Sequence, residues 1–257
     1  MEDLVKINNL TLIYQSLNSE TKALEDINLN IKKHEFISIV GPSGCGKTTI
    51  LSLISGLLKA SSGTVLVNNK TPSPKDDICG YMFQRDNLLP WRSVEKNIYL
   101  GLEIKHLNTA ERKQFALELA SKYGLKEFLK KHPSELSGGM RQRVSLIRTL
   151  ALKPELLLLD EPFSALDYQT RLELCDHIFE IIKKEKKTAV LVTHDIYEAI
   201  SMSDRIVVLS ARPGHIKSIH TTEFKPNSTP FERRKTEKAK KLFDIIWQEI
   251  QNEKQKI

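Results

Sequence analysis

The stretch Gly41-Pro-Ser-Gly-Cys-Gly-Lys47-Thr48 constrains this chain more than any other. It fits the pattern G-x-x-x-x-G-K-[ST] in full, and its flanks supply the context the pattern needs. Ahead of it, Phe36–Val40 (FISIV) is a short continuous apolar run, as in a buried strand. Behind it, Ile50, Leu53, Ile54, Leu57 and Leu58 recur at i, i+3, i+4, i+7 and i+8, so the spacing predicts a helix over 48–58. Glycines between strand and helix let the backbone curl until successive N–H groups converge on one anion. The positive end of the helix adds to that field. Gly41, Pro42, Ser43, Gly44, Cys45 and Gly46 thus form the cradle, with Thr49 inside the first helical turn. Lys47 is expected to reach the β- and γ-phosphates, and the Thr48 hydroxyl to ligand Mg²⁺. An ordinary glycine-rich turn would account for the glycines, but not for strand, loop and helix in this order.

The remaining pattern builds a sheet around that unit. Residues 4–13 and 27–31 alternate apolar and polar, as half-buried strands do, and 63–67 reads as another strand. Residues 95–131 read mostly helical, with Thr109 as an N-cap and Gly124 just past a C-terminus; 137–152 is a further helix. Strands 156–159, 189–193 and 206–209 then alternate with helices, the first over 168–184. Such alternation implies a parallel sheet covered on both faces. The tail, 231–254, carries Phe231, Leu242, Ile245, Ile246, Trp247 and Ile250 and suits one terminal amphipathic helix.

Two of these strands end in chemistry. Leu156–Leu159 runs into Asp160-Glu161, which puts the Asp160 carboxylate at the C-terminal edge of the sheet, where α/β proteins bind ligands. Asp160 can hold Mg²⁺, directly or through water. Glu161, one residue on, points elsewhere and is placed to take a proton from a water attacking the γ-phosphate. Taken alone, an acidic pair after a strand is weak evidence, because such residues commonly cap the next helix. His194 follows 189–193, and a neutral imidazole there could hydrogen-bond the γ-phosphate. A lone histidine is more often structural.

Composition sets the outer limits. The chain has 257 residues and a net charge of +7, of which residues 212–257 hold 11 Lys/Arg against 6 Asp/Glu, or +5. A basic balance admits nucleic acid or an anionic membrane as partner, but a solvated lysine-rich surface explains it as well. The three cysteines, at 45, 79 and 175, are odd in number and widely spaced, which suggests neither a disulfide framework nor a zinc site. No apolar run approaches the ~20 residues of a membrane span. The start, MEDLVKINNL, lacks signal-peptide character, so a cytosolic chain is expected.

One further stretch makes the set recognisable. Leu136-Ser137-Gly138-Gly139-Met140-Arg141-Gln142 is a second anion cradle, with a serine N-cap, two glycines and a helix start. With it, the chain resembles the ATP-binding subunits of ABC transporters from about Leu4 to at least Ile216. The resemblance implies a P-loop NTPase core with a parallel sheet, an N-terminal antiparallel β subdomain and an inserted helical subdomain near 95–152. Residues 1–216 would be the ATPase domain, and 217–257 a C-terminal extension of it. It further implies that Gln84 senses Mg²⁺ and water, that Ser164-Ala-Leu-Asp167 contacts the opposite subunit, that His194 is a switch and that Tyr14 stacks on adenine. Each ATP would lie between the glycine loop of one subunit and Ser137, Gly138 and Gly139 of the other, in a homodimer or with a paired ATPase. Asn87-Leu-Leu-Pro-Trp91, Asp167-Tyr-Gln-Thr-Arg171 and the segment 193–214 are similar to importers of nitrate, sulfonates and taurine. In that family the 84–98 region docks a membrane permease, which implies a peripheral place at the cytoplasmic membrane face, a solute-binding protein as indirect partner and no nucleic acid.

The sequence departs from the family at few places. His34-Glu35 stands where Gly-Glu is usual, which bears on a tight turn, and Ile147 and Thr149 replace smaller residues after the signature. Two rivals remain open at this point: a soluble ABC ATPase acting on nucleic acid or ribosomes, and a small-molecule kinase with the same glycine loop. Cys45, at a helix N-terminus, is expected to have a lowered thiol pKa and to react with alkylating agents.

Overall fold

The computed structural model describes residues 2–16, 19–225 and 227–255. In chain order the elements are β1 (Asp3–Ser16), β2 (Ser19–Lys32), β3 (Phe36–Val40), α1 (Lys47–Ile54), β4 (Ser62–Val67), β5 (Cys79–Met82), α2 (Val94–Ile104), α3 (Ala110–Lys122), α4 (Gly138–Ala151), β6 (Leu156–Asp160), α5 (Tyr168–Lys184), β7 (Thr188–Val192), α6 (Ile196–Met202), β8 (Arg205–Leu209), β9 (Ile216–Thr221), α7 (Pro230–Arg234) and α8 (Glu237–Lys254). They fall into two compact units, Met1–Asp76 with Leu172–Ile257, and Asp77–Arg171. No helix among the described residues is long and apolar enough to cross a membrane.

The first unit holds two sheets. β1 lies between β2 and β4 and is antiparallel to both, with Val5 opposite Ile31 on one side and Val67 on the other. It buries Val5 and Ile7 and, past a register shift, Leu10 and Leu12, with Leu4 buried as well. β3 is buried at all five positions and runs parallel to β7 and β8, so Ile39 faces both Val192 and Val207. Burial on both sides explains its unbroken apolar run. β9 adds an antiparallel edge to β8. α6 and α8 cover this sheet with Ile196, Ala199, Ile200, Leu242, Ile246 and Ile250. In the second unit, β5 and β6 pair in parallel, Tyr81 opposite Leu158, while α2 and α3 pack on α4. The chain is a mixed α/β protein with parallel sheet, as the βαβ alternation requires.

Some expectations change. The helix predicted over 48–58 stops at Ile54, with Ser55 as C-cap. Gly56 has φ +75 and a Cβ there would stand 2.5 Å from the carbonyl oxygen of Pro72, so this glycine ends the helix. Leu57, apparently on the apolar stripe, is therefore 47% exposed. The single tail helix is two, because Thr236 caps a new one with its side chain on Ala239 N. β5 and β9 went unpredicted; both are short and only partly buried. His34 does sit in a tight turn. Its φ is +65, in the left-handed region that a glycine adopts freely. Its N–H donates to Thr188 Oγ1 at 2.9 Å, which helps to hold that conformation.

Candidate functional site

In the first unit, β3 ends at Val40 and the glycine loop follows. Gly41 has φ +159, Gly44 +74 and Gly46 +100. Gly46 could be nothing else, since a Cβ would lie 2.5 Å from Leu24 Cδ2 in a backbone conformation that L-residues avoid. It is also the N-cap of α1, and it has no side chain with which to cap. Lys47 Nζ donates to Gly41 O at 2.9 Å and Pro42 O at 2.8 Å, so its ammonium lies over the loop. Tyr14, on β1, is 45% exposed, and its hydroxyl is 3.3 Å from Thr49 Oγ1. One predicted adenine contact thus stands over the first turn of α1. Thr48, Ser43 and Gly44 are exposed.

His194 follows β7 and is exposed. Its neighbours are held tightly. Thr193 Oγ1 donates to the buried Glu198 at 2.6 Å and accepts from Asp195 N at 3.0 Å, while Asp195 caps α6. The imidazole is therefore carried on a fixed turn.

Cys45 differs from expectation. It is buried, and burial raises its thiol pKa, outweighing the opposing charge of Lys47, whose Nζ lies 3.8 Å from Sγ. A helix N-terminus lowers a thiol's pKa only where solvent and charge reach it.

In the second unit, β6 delivers Asp160, 3% exposed, at its last position. Glu161 then turns out of the strand with φ +46, a left-handed conformation that costs a non-glycine residue on the order of 1 kcal/mol. Gln84 Nε2 donates to Glu161 Oε2 at 3.0 Å, so two predicted catalytic residues meet. Ser137 caps α4, accepting from Met140 N at 3.2 Å. A Cβ on Gly139 would meet Leu166 Cδ2 at 2.9 Å, whereas one on Gly138 would find nothing nearer than 3.8 Å. Asp167 caps α5 by accepting from Thr170 N at 3.0 Å, and this N–H holds its carboxyl below the usual carboxylate range.

Three fastenings escaped the sequence. Gln142 is 3% exposed; its amide donates to Ser164 Oγ at 3.4 Å and accepts from Ala165 N at 3.2 Å, tying α4 to the turn after Glu161. Asp86 accepts from Arg141 Nε at 3.0 Å, and Arg148 donates to the carbonyls of Asp86 and Asn87 at 2.7 and 2.9 Å. Asn97 is fully buried and brackets the loop before it, accepting from Leu89 N at 2.8 Å and donating to the carbonyls of Leu89, Arg92 and Ser93. The only outward signal for Asn97 was an amide on the apolar stripe of α2. The loop it holds exposes Trp91 by 73%.

Comparison with known proteins agrees with these features. The ABC transporter family model matches residues 24–164. An uncharacterized ABC transporter ATP-binding protein of Bacillus subtilis is 49% identical over 245 residues, 95% of this chain and 94% of that protein. The aliphatic sulfonates import ATP-binding protein of Bacillus cereus is 37% identical over 235 residues, 91% of this chain and 90% of that one. Among solved structures, a dimeric ATP-binding cassette in a post-hydrolysis state with ADP and Pi shares 34% identity and a TM-score of 0.77, over 86% of this chain and 100% of that one. With the glycine loop, the strand-end Asp-Glu pair and the serine-capped signature helix all present, the chain belongs to the ABC transporter ATP-binding proteins and is an ATPase of that family.

Proposed function

We propose that this chain is the ATP-hydrolysing subunit of an importer for a small molecule such as a sulfonate, nitrate, taurine or related compound. The observation that carries the reading is the start of α4. One chain holds two glycine-rich helix starts, and Gly138 in the second answers no packing demand of its own chain. A glycine there makes sense if a nucleotide bound to a second copy approaches the backbone closely.

In this reading Tyr14 stacks on adenine, residues 41–49 cradle the phosphates, and Lys47 exchanges its loop carbonyls for phosphate oxygens. Glu161 is the general base, held in place by Gln84, and His194 contacts the γ-phosphate. Thr48, Gln84 and Asp160 offer a hydroxyl, an amide oxygen and a carboxylate, a hard oxygen set that suits Mg²⁺. Gln84 spends its amide nitrogen on Glu161, which leaves its oxygen for the ion. When bound, the ion supplies charge neutralisation across the β- and γ-phosphates. Asp167 and the Ser137 turn serve the opposite subunit, either a second copy or a paired ATPase. ATP closes the pair, and loss of the γ-phosphate opens it.

The whole of 1–216 acts as the ATPase domain, with its helical part near 95–152 and 217–257 as an extension. The 84–98 region receives the membrane permease, with Trp91 as an exposed apolar anchor rimmed by charge. The subunit would then sit peripherally at the cytoplasmic membrane face and meet a solute-binding protein only indirectly.

Size-exclusion chromatography of Glu161→Gln with ATP tests the core of this reading. A dimer that appears only with ATP is expected, with hydrolysis reduced by at least about 100-fold. A persistent monomer that phosphorylates a metabolite would sink it. For the docking claim, Trp91→Ala should weaken co-purification with the permease while the ATP-dependent dimer survives. Unchanged assembly and transport would reduce Trp91 to a surface residue.

A further inference from the structure

The segment 211–215 (Ala-Arg-Pro-Gly-His) joins β8 to β9 and lies against the phosphate loop. Arg212 donates from Nε and Nη2 to Gly44 O at 3.2 and 3.1 Å. Gly214 is buried, and a Cβ on it would stand 2.0 Å from Cys45 O. Two successive carbonyls of the phosphate loop are thus engaged by one neighbouring segment.

That segment is itself held on two sides. On one, Gly214 O accepts from Glu25 N at 2.9 Å and Gly214 N donates to Ala23 O at 3.0 Å, both on β2. On the other, Ala211 N donates to Glu253 Oε2 of α8 at 3.2 Å. Glu253 is 4% exposed and also pairs with Lys217 at 2.9 Å. A buried carboxylate so paired is costly to disturb.

A trans peptide is planar, and its C=O and N–H point in opposite directions. With Gly44 O held by Arg212 and Cys45 O against Gly214, the N–H groups of Cys45 and Gly46 face the other side of the loop, where Cys45 N donates to Pro42 O at 3.4 Å. We propose that 211–215 is a positioning element for the phosphate loop. Arg212 and Gly214 hold these two peptide planes with their carbonyls outward, which presets the Gly46 N–H for phosphate and turns the Cys45 N–H into the loop, where phosphate would replace Pro42 O as its acceptor, and α8 sets the element through Glu253. The proposal rests on reading 41–48 as a nucleotide cradle. Ordering the donors in advance removes a cost that binding would otherwise bear, and the guanidinium bonds are charge-assisted.

Calorimetric titration of the full chain with MgADP, beside thermal unfolding without nucleotide, tests it. Arg212→Ala should weaken ADP binding about fivefold. Its Tm should stay within about 2 °C of the wild type, because the side chain is exposed. Arg212→Lys, which keeps a cationic donor, should recover most of the affinity. Gly214→Ala, whose methyl would collide with Cys45 O, should weaken binding more than Arg212→Ala does. For Arg212, a merely structural role would lower Tm and affinity together and gain nothing from lysine. Wild-type affinity in both Arg212→Ala and Gly214→Ala overturns the proposal, given a wild type that binds ADP. A wild type that binds no ADP overturns the cradle reading instead, and this proposal with it.

Discussion

The two glycine-rich helix starts are built in opposite ways. α1 begins at Gly46, left-handed at φ +100, with no capping side chain and Lys47 beside it. α4 begins at Ser137, in extended backbone, with its hydroxyl accepting from Met140 N. The first start takes a backbone conformation open to glycine and has no side-chain cap, while the second satisfies one donor itself. A helix N-terminus draws anions in either case. The difference shows which start is shaped wholly by its own chain and which keeps a glycine, Gly138, that its own packing does not require.

Substitutions can break or sharpen that contrast. Gly46→Ala carries the larger expected effect. It imposes a left-handed conformation on a residue with a Cβ and drives that Cβ to 2.5 Å from Leu24. A loss of about 2–3 kcal/mol of stability is expected, with MgATP binding abolished. Thermal unfolding and nucleotide titration would show both, and an intact site would mean that the left-handed turn at Gly46 does not shape the cradle. Ser137→Ala should cost less, about 1 kcal/mol, through the lost cap. Binding of ATP to the single subunit should be unchanged and ATP-dependent dimerisation weakened. If dimerisation is untouched, the second start is only a capped helix. Together the two variants ask whether the uncapped start binds nucleotide and the capped one serves only dimerisation.

Much of this was legible because it is local. The buried run FISIV, the helix over 168–184 and the caps Thr109 and Ser137 depend on neighbours within a few residues, and all appear in the structure. The structure departs from the local pattern where a stronger signal overrides it. Gly56 ended α1 before its apolar stripe ran out. β5 is a short strand whose partner, β6, lies far along the chain, and β9 is a partly buried edge strand that follows β8 directly and lacks an apolar run of its own. Cys45 was read from its place at a helix start, yet burial decides its thiol.

The sequence by itself determined the kind of site: which loop carries the phosphate-binding pattern, which strand ends in carboxylates and which helix starts with serine and two glycines. Those features follow from residue type and spacing over a dozen positions. Only the tertiary structure decided how the site is held. Gln84 meets Glu161 across 77 residues, Arg212 meets Gly44 across 168, and Asn97 closes the Trp91 loop from inside a helix. Hydrogen bonds of that kind have no period and no spacing, so they exist only once the chain has folded.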